Sequence, residues 1–191
     1  NTGLEIAYNA DLPARSGLGT SSSFSVGLIN ALNALKGRMS SKKELADEAI
    51  RIEQDVMLES VGSQDQVWAA HGGFNRIKFN LDGTYEVSPI LMPKKKRKEL
   101  FGSFMLFFTG FSRYSGELAK RQIANFKNKN KELNLISDLT NDAGKILQEN
   151  TGVIANLGQL MDEGWQVKRE LAKGVSNPEI DEIYNTGIEA G

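Results

Sequence analysis

The chain has 191 residues, 40% of them hydrophobic, enough for one sizeable domain or two small ones around a filled core. Its 23 Lys and Arg against 24 Asp and Glu leave a net charge of -1, which excludes a strongly basic nucleic-acid protein. With no Cys and a single His, His71, disulfides, thiolate metal clusters, cysteine nucleophiles and multi-histidine metal sites are excluded as well.

In chain order, Leu4, Ile6 and Tyr8 alternate and predict a strand over residues 4–9. Asn1 to Ala10 lacks the basic and apolar regions of a signal peptide, and no apolar run approaches the roughly 20 residues of a membrane span. A cytoplasmic protein without membrane or nucleic-acid partners is therefore expected. The residue at position 1 is Asn, and the apolar stripe Ile180, Ile183, Tyr184 and Ile188 stops at Gly191, so a piece cut from a longer chain is expected.

Pro13, Gly17 and Gly19 predict a loop from Asp11 to Thr20. A helix follows from Ser21 to Leu35, with Phe24, Leu28, Leu32 and Leu35 as its expected buried face. Ser41 and Glu44 stand in capping-box positions and open a second helix to about Leu58, with Leu45, Ile52 and Val56 on its apolar side. A short third helix runs from Ser63 to Ala70, where Trp68 is expected to pack on the core.

After the turn His71-Gly72-Gly73, residues 75–79 alternate as a strand, and Asp82-Gly83 turns into a return arm from Thr84 to Val87. Lys94 to Lys98 reads as a solvated loop between the two halves, because no aromatics interleave with it. Phe104 to Phe108 reads as a central strand. From Ser115 onward the pattern is helical, with breaks near Lys129, Gly152 and Ser176, and Asn177-Pro178 forms an N-cap with Pro at N1. Trp165 joins Leu157, Leu160 and Met161 on a stripe expected to pack against the core or another helix. The class is α+β, divided into residues 1–93 and 94–191.

The segment Pro13-Ala14-Arg15-Ser16-Gly17-Leu18-Gly19-Thr20-Ser21-Ser22-Ser23 is the most informative. It enters a helix, where backbone N–H groups and the positive helix end hold phosphate oxygens. By itself it is either a capped turn or a phosphate loop. It lacks the Lys-Ser/Thr ending of a Walker A loop and the third glycine of a dinucleotide fingerprint. Taken alone, Glu53 reads as a solvated helix residue, Asp65 as a first-turn charge, Arg113 as a surface arginine and His71 as a turn or packing residue.

The segment resembles the nucleotide-binding motif of the small-molecule kinase superfamily of galactokinase, homoserine kinase, mevalonate kinase and phosphomevalonate kinase. The likeness is nearer to bacterial D-glycero-D-manno-heptose 7-phosphate kinases. It rests on Pro13 to Phe24, Arg51-Ile52-Glu53, Gly62-Ser63-Gln64-Asp65-Gln66 and Phe107-Phe108-Thr109-Gly110-Phe111-Ser112-Arg113. The resemblance implies an amino-terminal domain like the second domain of ribosomal protein S5 and a ferredoxin-like carboxy-terminal domain, truncated at both ends.

The resemblance also implies ATP and Mg²⁺ as cofactors. Gly17, Leu18, Gly19, Thr20, Ser21, Ser22 and Ser23 would surround the ATP phosphates, and Ser21 and Glu53 would hold the Mg²⁺. Asp65 would be the catalytic carboxylate that orients the acceptor hydroxyl. Arg113, Ser112 and Arg15 would meet a sugar phosphate substrate, with Ser112 and Ser115 otherwise capping the next helix. A homo-oligomer is left open. Another sugar such as fucose or a hexose, or a nucleotide- or sugar-binding protein without turnover, are the alternatives to the heptose phosphate.

Overall fold

The structure is a computed structural model that describes residues 3–11, 17–107, 109 and 115–191. In chain order the elements are α1 (Thr20–Leu35), α2 (Lys42–Arg51), a π-helical turn (Ile52–Val56), α3 (Gln64–His71), β1 (Asn75–Phe79), β2 (Tyr85–Pro89), α4 (Lys94–Gly102), α5 (Ser115–Asn125), a 3-10 turn (Phe126–Asn128), α6 (Asn130–Ile146), α7 (Val153–Arg169) and α8 (Pro178–Ala190). The chain forms two compact units that part between His71 and Gly72, the second taking Gly72–Thr109 and Gly116–Gly191.

In the first unit α1, α2 and α3 pack around Val26, Ile29, Leu45 and Ala49, with Ile52, Ala69 and Ala70 against them. The start of α2 is fixed locally: the Ser41 side chain accepts from the Glu44 N–H, and the Glu44 carboxylate accepts from the Ser41 N–H at 2.8 Å. The buried face of α1 is Ser22, Val26 and Ile29, not the predicted stripe; Phe24 is 37% and Leu35 65% exposed. Both stripes have helical spacing, and the covered one is that which packs with Leu45 and Ala49 of α2. Val56 and Trp68, expected in the core, are exposed too.

The predicted strand over 4–9 is absent: these residues are irregular and exposed, and Tyr8 stacks edge-on against Phe24 with ring centroids 4.6 Å apart. A strand exists only in a ladder, and the one sheet among the described residues is the antiparallel β1–β2 hairpin, with Ile77 opposite Val87. The same reason accounts for 104–107, the described part of the predicted central strand. It is irregular, with Met105 and Leu106 about four-fifths exposed, and Phe108 lies outside the described residues.

In the second unit the hairpin turns at Asp82-Gly83, where the Asp82 carboxylate accepts from the Thr84 N–H at 2.9 Å and Gly83 takes φ 83°. The core there is Leu100, Leu147 and Val153, backed by Phe74, Ile90, Met92, Ile146 and Leu157. The basic run, expected as a loop, is the first half of α4. Pro93 starts the helix, Leu100 anchors it, and the Lys96 ammonium donates to the Leu147 carbonyl at 2.9 Å and to that of Glu149. The later breaks fall where predicted, and the Asn177 side chain accepts from the Ile180 N–H at 2.8 Å ahead of Pro178. Trp165 is partly buried and tilted against Tyr184 with centroids 6.2 Å apart.

Candidate active site

Two helices of the first unit and the π-helical turn between them each bring a polar residue to one point. On α1, Ser22 lies one turn before Val26 on the buried stripe and is itself buried. On α2 the buried positions Leu45 and Ala49 lead, four residues on, to Glu53, which is 1% exposed. On α3, Gln66 is likewise 1% exposed and precedes the buried Val67.

These side chains are joined by hydrogen bonds to one carboxylate. The Ser22 hydroxyl donates to Glu53 Oε2 at 3.1 Å, the Gln66 amide donates to the same oxygen at 2.5 Å, and the Ser25 hydroxyl donates to Oε1 at 2.9 Å. A carboxylate removed from water is tolerable only when its lone pairs are filled in this way. The bare reading of Glu53 as a solvated residue is therefore corrected.

The backbone around Glu53 is unusual. The Met57 N–H reaches back five residues to the Ile52 carbonyl at 2.8 Å, and the Glu59 N–H meets the Glu53 carbonyl at 2.9 Å. Between them Leu58 is in the left-handed region at φ 56°. Wide turns and left-handed non-glycine residues are concentrated at functional sites.

The glycine loop meets this cluster at the start of α1. Gly19 is the N-cap residue at φ 67°, and no side chain caps the helix. A Cβ built on Gly19 would stand 3.3 Å from Asp65 Oδ2, so the Asp65 carboxylate rests directly against the bare Cα of the loop. Asp65 itself is exposed, in the first turn of α3. Gly17, at φ 76°, and Leu18 are exposed.

Of the residues singled out in the sequence, Ser22 is bonded to Glu53 and Gly19 lies against Asp65, while Gly17, Leu18, Thr20, Ser21 and Ser23 adjoin them along the loop and the start of α1. The hydroxyls bonded to Glu53 are those of Ser22 and Ser25, while Ser21 is exposed. Ser25 and Gln66 were not singled out. Arg15, Ser112 and Arg113 lie outside the described residues, and so does the side chain of Ser115. His71 ends α3, its carbonyl accepting from Lys42 Nζ at 2.6 Å, and burial followed by the Lys42 charge holds its imidazole pKa below the ordinary value.

Chemically, the cluster offers a buried carboxylate, two hydroxyls and the Gln66 amide oxygen, which is buried and has no partner among the described residues. These are hard oxygen donors of the kind Mg²⁺ prefers. Among the described residues no group of three or more His, Cys, Asp or Glu stands ready to hold a metal. A cation here would complete its shell with water and with oxygens of a bound phosphate, the usual habit of Mg²⁺.

Residues 1–73 match the family described as GHMP kinases N terminal domain. The match takes in the glycine loop, α1, α2 and α3, and therefore the whole of the Glu53 cluster. Over 183 residues the chain is 28% identical to the D-glycero-alpha-D-manno-heptose 7-phosphate kinase of Campylobacter jejuni, covering 95% of this chain and 54% of that protein. It is 27% identical over 191 residues to the L-fucokinase/L-fucose-1-P guanylyltransferase of Bacteroides fragilis, covering 96% of this chain and 20% of that one.

In three dimensions it is similar to the crystal structure of a D-glycero-D-manno-heptose 1-phosphate kinase from Bacteroides thetaiotaomicron. The TM-score is 0.69 at 28% identity, over 84% of this chain and 46% of that one. The fold is that of the GHMP kinases. The chain spans about half the length of the heptose kinases it matches. Among the described residues no helix is long and apolar enough to cross a membrane.

Proposed function

We propose that the protein containing this chain is an ATP- and Mg²⁺-dependent sugar kinase that phosphorylates the anomeric hydroxyl of D-glycero-D-manno-heptose 7-phosphate to the 1,7-bisphosphate. The observation that carries this reading is the buried Glu53 carboxylate, held by Ser22, Ser25 and Gln66 beside a glycine loop whose Gly19 backs onto Asp65. Likeness to heptose phosphate kinases supports the acceptor class.

The proposed roles follow the chemistry. The loop from Gly17 to Ser23 and the start of α1 receive the ATP phosphates, where uncapped N–H groups and the helix end favour negative charge. Glu53, with the hydroxyls of Ser21 and Ser22, would hold the Mg²⁺, and the ion would supply neutralisation of the phosphate charge. Asp65 orients the acceptor hydroxyl and takes its proton. The hydroxyl oxygen forms a bond to the γ-phosphorus as the bond from that phosphorus to the β–γ bridging oxygen breaks, leaving ADP. Arg113, with Ser112 and Arg15, grips the distal sugar phosphate, a task suited to the forked guanidinium.

The fucokinase relative favours a second reading, a kinase for fucose or a related neutral sugar. Mg²⁺-dependent ADP release by the full-length protein separates the two, screened against heptose 7-phosphate, unphosphorylated heptose, fucose and hexoses. Turnover confined to heptose 7-phosphate is the expected result. Turnover with a neutral sugar alone would sink the phosphate-gripping role of Arg113. ATP binding without turnover on any acceptor would sink the kinase reading.

A further inference from the structure

Gln66 has two amide ends in different circumstances. Its nitrogen donates to Glu53 Oε2 at 2.5 Å, the same oxygen that Ser22 holds at 3.1 Å. Its oxygen is buried and takes no hydrogen bond among the described residues, although the residue is only 1% exposed. The orientation of the amide is not arbitrary. Turned over, it would set its oxygen against a carboxylate oxygen, two acceptors at hydrogen-bond distance with no proton between them. Glu53 therefore fixes which end of Gln66 is left over, and that end is an acceptor.

An unfilled buried acceptor is rare in folded proteins and calls for a donor that the described residues do not supply. A side chain needed only to fill space between α2 and α3 would be apolar at that depth, like its neighbour Val67. A hydrated cation would supply such donors. Mg²⁺ retains several waters, each a strong hydrogen-bond donor, and metal ligands are commonly oriented by a second ring of hydrogen-bonding partners.

We propose that Gln66 is a positioning residue for the cation: its nitrogen locks the Glu53 carboxylate, and its free oxygen accepts a hydrogen bond from a water on the bound ion. This rests on the reading of Glu53 as the magnesium carboxylate. It makes Gln66 a residue that acts through Glu53 and through metal-bound water, without touching sugar or phosphate.

The test uses the full-length protein, with Mn²⁺ as the spectroscopically visible probe, titrated in the presence of ADP and followed by electron paramagnetic resonance. Gln66→Met removes both amide ends at similar volume. Its Mn²⁺ dissociation constant should rise about tenfold to a hundredfold, with ADP affinity in the absence of metal unchanged. Gln66→Glu keeps the shape but sets two carboxyl groups side by side, which share a proton that the ion must displace. Its Mn²⁺ affinity should therefore climb with pH more steeply than that of the wild type.

A folded Gln66→Met protein that binds Mn²⁺ as tightly as wild type overturns the proposal. Should that variant fail to fold, a Gln66→Glu protein with the wild-type pH profile overturns it equally. Glu53→Gln keeps the two readings apart. Weakened Mn²⁺ binding in Glu53→Gln with none in Gln66→Met sinks only the role of Gln66, whereas unchanged binding in Glu53→Gln sinks the metal reading beneath it.

Discussion

Replacing Gly19 by Ala tests the contact between the loop and Asp65 in a way that separates backbone strain from chemistry. Gly19 holds φ 67°, and an L-residue there costs about 1–2 kcal/mol of conformational strain. Gly37 holds φ 71° just past the end of α1, and a Cβ there meets nothing within 4 Å. Gly37→Ala therefore bears the same strain with no neighbour to disturb, and both variants of the full-length protein should melt a few degrees lower, about 2–4 °C per kcal/mol. Only Gly19→Ala adds a methyl group 3.3 Å from Asp65 Oδ2 and 3.4 Å from its Cγ.

The exposed Asp65 side chain gives way by a few tenths of an ångström or changes rotamer. Misplacing a catalytic group by about 1 Å costs on the order of a hundredfold in rate. A fall in kcat of about tenfold to a hundredfold is expected for Gly19→Ala, measured as steady-state ADP release at saturating ATP. Gly37→Ala should stay within about twofold of wild type, as strain alone does not touch the transition state. Equal kcat values in the two variants, at equal loss of melting temperature, would refute the reasoning.

Two further predictions concern local electrostatics. Ser41→Ala breaks the capping box of α2 and should lower the melting temperature by about 2–4 °C without altering kcat, which differential scanning calorimetry and turnover together would check. The Ser41 backbone N–H, then its hydroxyl, then Arg38 hold the Glu44 pKa below its ordinary 4.5. That contribution is complete above about pH 4.5 and disappears as pH falls through the lowered value. Acid unfolding of Ser41→Ala should accordingly be less steep there. For His71, burial and then Lys42 disfavour the charged imidazole, so its NMR titration should centre below 6.5, with stability lost as pH falls from that value. Lys42→Met should recover part of the shift; a midpoint at or above 6.5 in the wild type would contradict the burial.

The parts of this fold legible in the sequence are those written in local chemistry. Ser41 with Glu44, Asn177 with Pro178, and Asp82 with Gly83 each satisfy backbone groups within a few residues, and each is found where the sequence places it. The strands at 4–9 and 104–107 were misread because alternation and apolar runs describe a residue's preference, while a ladder requires a partner. The basic run was misread because Lys96 reaches carbonyls more than fifty positions away.

At the site, Glu53 and Asp65 were visible through likeness to kinases, whereas Ser25 and Gln66 were passed over. A signal for part of it was available. Carried back one turn from Ile29 and Val26, the apolar spacing of α1 reaches Ser22; carried forward from Leu45 and Ala49, that of α2 reaches Glu53. A polar residue at the end of a core stripe is a mark of chemistry. It was hidden in α1 by the second, equally regular stripe of Phe24, Leu28, Leu32 and Leu35.

The π-helical turn after Arg51 has a consequence for how this site tolerates change in length. A turn closed over five residues holds one residue more than an α-helical turn, so the segment behaves as a helix with a spare link. Removing that link would let α2 run on as a regular coil with a better ladder of hydrogen bonds. The wide turn around Glu53 would close, and the bonds from Met57 to Ile52 and from Glu59 to Glu53 that hold it open would be lost. A more regular protein would thus be a poorer one, and a shortened copy that folds well yet has lost its turnover is the outcome this geometry dictates.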